Sequence, residues 1–290
     1  MAFFSRLLED YADEWMWRPA LYYRWGFAYD FFHLSHRIGN ELAKLVGVPK
    51  LLGGLIVGIR QRKMFLKGDG VTKQTEKDVE RTYLETLDKM EAVFAKQPFL
   101  LGDKPCMADF GFFASMFRHF GLDPTPARIM RDRATGVYEW VARMWNAKGS
   151  KLTGAQWNYS EGELPEYWQP LFKDICEIYL PYLRLNAIAF KEGRKRFDHI
   201  SNGSHYKNLP VIAYRVWCRE ELHRHFNALS ETDQAKVKAT LQGLGGWDDF
   251  WSDSDTQSNW DPKGLLPVCE TPKKIGLLTK IKYYFVGTPW

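Results

Sequence analysis

The chain has 290 residues, 45% hydrophobic and 26% charged, with a net charge of +5. That balance excludes a disordered or fibrous chain and fits one large or two small globular domains. No segment is dominated by Lys and Arg, which argues against a nucleic-acid binder.

The N-terminus, MAFFSRLLEDYADEW, lacks a basic start followed by an unbroken apolar run, so it does not read as a signal peptide. Phe4, Leu7, Leu8, Tyr11, Trp15 and Leu21 recur at steps of three and four, which predicts a helix over 3–25. Glu9, Asp10, Asp13 and Glu14 give it an acidic second face, and Pro19 should interrupt it near its end. The longest apolar segment, 42–59, carries two lysines, a proline and four glycines. It is expected to be a buried or connecting segment, with a membrane-surface role as the alternative, because a spanning helix needs about 20 mostly apolar residues.

A helix is predicted over 75–96, with Thr75 capping its start and Val79, Tyr83, Leu87, Met90 and Phe94 on one stripe. The loop 99–105 leads into a third helix, 107–120. A fourth, 126–146, should break at Gly136. The polar, turn-rich stretch 149–164 reads as a linker between a first domain, 1–148, and a helical extension, 165–245. The extension should hold helices over 165–193, 209–228 and 230–243, the last opening on a Ser230–Asp233 capping pattern. Residues 246–290 read as an irregular tail. No period-two alternation or hairpin signal stands out, so the expected class is all-α.

At the third helix, Asp109 stands three residues after Cys106. From that position a carboxylate reaches back to the amide of residue 106 and suits the positive end of the helix dipole. A cysteine returns the bond weakly. Cys106 and Asp109 are therefore read as a structural cap rather than as catalytic groups. Cys106, Cys176, Cys218 and Cys269 lack the spacing of a redox or zinc site and read as reduced thiols of the cytoplasm or another reducing compartment. His33 with His36, and His223 with His225, lack a third ligand, so no metal is expected. The basic GRKRF run, 193–197, reads as a solvated helix end.

The stretch FLLGDKPCMADFGFFASMF resembles the loop and central helix of the glutathione transferase C-terminal domain. VYEWVARMW is similar to a later helix of that domain, and residues 3–25 to its first. The resemblance spans about 1–148, and 165–250 resemble the C-terminal extension of long members. It implies an all-helical bundle that shapes a pocket for a hydrophobic electrophile. Glutathione is then the co-substrate, and its thiol is activated by a thioredoxin-like domain whose pattern is not found in this sequence. No residue here is assigned a catalytic role. The resemblance makes Tyr11, Trp15 and Arg18 substrate-cleft candidates. Core packing for the two rings, and a Glu14 ion pair for Arg18, are the alternatives. The other functional reading is a non-catalytic interaction or scaffold subunit. The rings of the first helix point around most of its circumference. A surface with Phe3, Phe4 and one of Trp15 and Trp17 is therefore expected to meet a thioredoxin-like domain or a second copy. The alternative cover is the end segment KIKYYFVGTPW.

Overall fold

The computed structural model describes residues 1–46, 49–159, 163–261 and 276–278. The first helical stretch divides into α1 (Ala2–Glu14) and α2 (Trp17–Gly26). The break falls at Trp15–Met16 rather than near the end. The ring of Pro19 excludes an α-helical carbonyl four residues back, so Pro19 sits in the first turn of a new helix. α3 (Ala28–Val46) and α4 (Lys50–Gln61) form a helical hairpin, and α4 runs on through a π turn, Arg62–Leu66. α5 (Glu76–Phe94), α6 (Met107–Ser115, continued by a π turn to Phe120), α7 (Pro124–Arg133) and α8 (Thr135–Asn146) complete the first bundle.

The Thr75 hydroxyl does not cap α5, as was expected. It accepts from the Thr72 amide at 2.9 Å and donates to the Gly70 carbonyl at 2.8 Å, closing the preceding turn instead. The α7–α8 break falls at Ala134, ahead of Gly136. There Glu91 of α5 accepts from the amides of Gly136 and Val137 at 3.0 and 2.9 Å, capping α8 from a neighbouring helix.

The extension begins with α9 (Gln169–Asp174), a π turn (Ile175–Tyr179) and α10 (Leu180–Lys191). An antiparallel hairpin follows, β1 (Arg196–Ser201) with β2 (Ser204–Pro210). Among the described residues the regular structure is helical apart from this pair. The hairpin corrects the sequence reading, which saw none and began a helix at 209. Its turn is Asn202-Gly203, with φ of 45° and 78°. Asn-Gly is the strongest two-residue hairpin signal, because both turn positions need positive φ. GRKRF, read as a helix end, is the exposed turn and first residues that feed β1. α11 (Ala213–Asn227), α12 (Glu231–Gly243) and α13 (Trp247–Trp251) close the extension. α13 lies within the stretch read as irregular. Ser230 accepts from the Asp233 amide at 3.2 Å at the start of α12. Cys269 and the segment 280–290 lie outside the described residues.

The extension packs onto α1. Phe3 lies edge-on to Phe226 and Phe250, and Phe4 to Phe172. Phe3, Phe4 and Trp15 are all buried. The expected interface through these rings is thereby corrected, since the chain's own extension covers them and leaves only Trp17 partly exposed. The acidic face of α1 is taken up in the same way. Asp10 accepts from the Tyr179 hydroxyl at 2.6 Å, and Glu14 pairs with Arg215 at 3.4 Å. Burial first, and like charge second, hold Glu9 up at about 7 and Asp13 at about 6.

The α3–α4 hairpin reverses the usual arrangement. The segment 42–59 was expected to be buried or connecting, and within it Leu52, Leu55, Ile56 and Ile59 are exposed. Glycines take the inner face of α4. A Cβ on Gly39 would stand 2.2 Å from the Cα of Gly54, and one on Gly58 would stand 2.6 Å from the Phe31 ring.

Candidate functional site

The core of the first bundle is organised by one carboxylate. α6 opens on Cys106 in extended backbone and carries Asp109 at its third position. Asp109 Oδ2 accepts from the Cys106 amide at 2.9 Å. Oδ1 accepts from the Leu100 amide at 3.0 Å and from Trp140 Nε1 at 2.9 Å. The side chain is wholly buried, so each bond replaces a lost bond to water. Burial raises its pKa and the donors oppose that rise. The Cys106 sulfur faces the Asp109 amide and completes the box. Ser5 of α1 satisfies another helix-end donor, the Ala108 amide, at 3.3 Å. One carboxylate thus ties the 99–105 loop, α6 and α8 together. Gly102 holds φ of 127° in that loop, where a Cβ would meet the Asn158 amide at 2.6 Å. Burial, and next the charge of Asp109, push the Cys106 thiol up to about 12, and burial does the same to Cys176. Neither is an activated nucleophile.

Tyr11, Trp15 and Arg18 come together, but inside the protein. Tyr11 packs edge-on to Phe112 and Tyr179, and Trp15 to Tyr182 and His199. Arg18 lies with its guanidinium 4.5 Å from the Trp15 ring centre and 4.9 Å from that of Tyr206. Its ion pair is with Asp69, 3.1 Å away, and not with Glu14. All three are buried, and neither of the cavities described below opens onto them.

Around Arg18 lies a polar cluster that helix periodicity could not show. Asp78 of α5 accepts from Tyr206 at 2.8 Å, Asn202 at 3.1 Å and Arg81 at 2.6 Å. Arg215 donates to the Tyr182 hydroxyl. His199 is buried with neither ring nitrogen hydrogen-bonded, and one Arg18 amino group and the Ser201 hydroxyl are also unpartnered. Burial first, and the Arg18 charge second, lower His199 to about 3. Each cation has a carboxylate partner, so the cluster is close to neutral. Its rings are held neutral and its charges paired, an arrangement suited to locking the hairpin onto α2 and α5. The only signal for it in the sequence was the Asn-Gly turn, which places His199 and Ser201.

The exposed counterpart is an apolar stripe on α6. Met107 and Phe110 are exposed, one turn apart, and Phe113 continues the stripe. Phe113 stacks on Phe117 at 5.2 Å, and Phe117 on the exposed Trp145 of α8 at 4.7 Å. On the other side of α8, a cavity of about 410 Å³ is lined by Phe99, Ala142, Arg143, Lys148, Lys151 and Leu152. A more polar cavity of about 660 Å³ lies in the extension, beside Trp217, Glu221, His223, Arg224 and Trp260. His223 Nε2 is 2.6 Å from the Phe250 carbonyl, and burial lowers its pKa to about 4. Among the described residues no three His, Cys, Asp or Glu converge as metal ligands, and no helix is long and apolar enough to cross a membrane.

Comparison with known proteins gives one match. Residues 56–147 match the family described as "Glutathione S-transferase, C-terminal domain". The matched stretch runs from within α4 to the end of α8 and includes the Cys106–Asp109 cap. The sequence reading extended the resemblance to residues 1–55 and, more weakly, to the extension, and both lie outside the match. No curated protein and no solved structure matches the chain. The family likeness of this chain therefore lies in residues 56–147, which are similar to the glutathione S-transferase C-terminal domain.

Proposed function

We propose that this chain is the helical, substrate-side half of a glutathione transferase-like protein. The observation that supports it is the double character of α6. One side of the helix is locked into the core by Asp109. Another keeps Met107 and Phe110 exposed and Phe113 half-buried, beside the Phe117–Trp145 stack. Such a rigid apolar surface suits a hydrophobic electrophile and the thioredoxin-like domain that would bring glutathione to it. Attack by the thiolate needs a group that lowers the thiol pKa. None of the three described cysteines is suited to nucleophilic attack itself, because burial raises each thiol.

The test compares the pure chain with the chain fused to a thioredoxin-like domain, using glutathione and a general aryl halide. The chain alone should give no conjugation and the fusion should turn over. Phe110→Ser with Phe113→Ser should raise the KM for the aryl halide by about tenfold through lost apolar contact. Turnover by the pure chain, abolished by a single substitution within it, would overturn this reading. The second reading, a non-catalytic scaffold, is favoured by the same stripe, since an apolar surface fits a partner chain as well as a substrate. It predicts no turnover in either form.

A further inference from the structure

We propose that the outer face of the α3–α4 hairpin seats on an anionic lipid surface, with α4 lying in the headgroup region rather than crossing the membrane. In water, a helix pair buries its large apolar side chains and shows its small and polar ones. α3 follows this rule with Phe31 and Leu34, but on α4 Val57 is buried among glycines while larger aliphatic residues face out. Gly54 and Gly58, four residues apart, face Ser35, Gly39 and Phe31 of α3, so closely that a Cβ on Gly54 would stand 3.0 Å from the Ser35 carbonyl oxygen. Small residues at spacings of four, with backbones in contact and bulky aliphatic residues turned outward, are how helices pair in lipid. The outward residues of α4 are Leu52, Leu55, Ile56 and Ile59, spaced at three and four, with Ile56 60% exposed. At the level of Gly58, α3 adds Phe32, 70% exposed.

Charge selects the occupant. From Leu42 to Gly68 the sequence has six Lys and Arg and no Asp or Glu, bounded by Glu41, exposed on α3, and by Asp69, which pairs inward with Arg18. Lys63 and Lys67, just beyond α4, are exposed, as is Arg37 on α3. An apolar face flanked by cations matches acyl chains beneath phosphate-bearing headgroups, each cation adding about 1 kcal/mol near such a surface. A neutral protein partner would have no use for the uniform sign. α4 and its π turn run from Lys50 to Leu66, about 25 Å of helix against a hydrocarbon thickness of about 30 Å, and no described helix is long and apolar enough to cross. The hairpin can lie on a bilayer but not span it.

The test is co-sedimentation of the full chain with vesicles of phosphatidylcholine, with and without about 30% phosphatidylglycerol. The chain should bind the anionic vesicles at least about tenfold more tightly, and added salt should weaken binding. Ile56→Glu with Ile59→Glu should abolish binding. Leu55→Ser with Ile59→Ser, which adds no charge, should weaken it by about tenfold through lost apolar area. All four side chains point outward, so both variants should melt with the parent. The proposal is overturned if the parent stays in the supernatant, binds both vesicle types equally, or is unaffected by the substitutions. It is equally overturned if the chain self-associates through this face, the Glu variant restores the monomer and no vesicle binds, since a second copy is then the occupant.

Discussion

Two apolar surfaces of this protein, on α1 and on α4, behave in opposite ways. On α1, rings that point around the helix are all sealed, because the extension brings Phe172, Tyr179, Tyr182, Phe226 and Phe250 onto them. On α4 the glycines and Val57 are sealed and Leu52, Leu55, Ile56 and Ile59 are left outside. Hydrophobicity alone does not separate the cases. What differs is whether a second element carries a face of matching shape. α9 to α13 supply large rings that interlock edge to face, whereas α3 supplies a groove of Ser35 and Gly39 that admits only glycine. The first seam stores stability, and the second face is left available for something else.

This contrast can be broken or sharpened by measurement. The largest effect should come from Asp109→Ala, which strands the Leu100, Cys106 and Trp140 donors in the core. We expect a loss of about 5 kcal/mol by chemical denaturation. A loss under about 1 kcal/mol would show that the carboxylate does not organise the bundle. Phe3→Ala should cost about 4 kcal/mol, whereas Ile56→Ala on the outward face should change stability by less than about 0.5 kcal/mol. Equal losses at these two sites would erase the distinction between seam and exposed face.

A smaller effect is set by pH. His199, in the α1 seam, is held near 3 in the fold against about 6.5 in the unfolded chain. The fold therefore retains the neutral ring. This stabilising contribution is complete above about 6.5 and is lost as pH falls from there toward 3. The groups facing the ring are Arg18, Asp78, Trp15, Tyr182 and Tyr206. Between pH 7 and pH 5 the parent should lose about 2 kcal/mol more than His199→Phe. Parallel pH profiles for the two proteins would place the ring in contact with water. In the core, a small effect is expected of Cys106→Ser, within about 1 kcal/mol of the parent, because the Asp109 half of the box does most of the capping.

Local spacing alone was enough to place α5, α6 and α12, since each has a periodic stripe and a start signal that depend only on residues three or four apart. The Asp109 cap was legible for the same reason: both halves of the box lie within one turn. The Asn-Gly turn was also readable, and the hairpin was missed because its strands alternate only weakly. Other features could not be read along the chain. Asp109 also holds Trp140, 31 residues away, and Arg18 chooses Asp69 over the nearer Glu14 because the fold brings Asp69 alongside and directs Glu14 to Arg215. Whether an apolar face ends buried or exposed depends on the shape of the partner it meets. Periodicity identifies a face as apolar, but only packing between distant segments decides what covers it. That is why the rings of α1 are core, Leu52, Leu55, Ile56 and Ile59 of α4 are surface, and neither outcome follows from hydrophobicity alone.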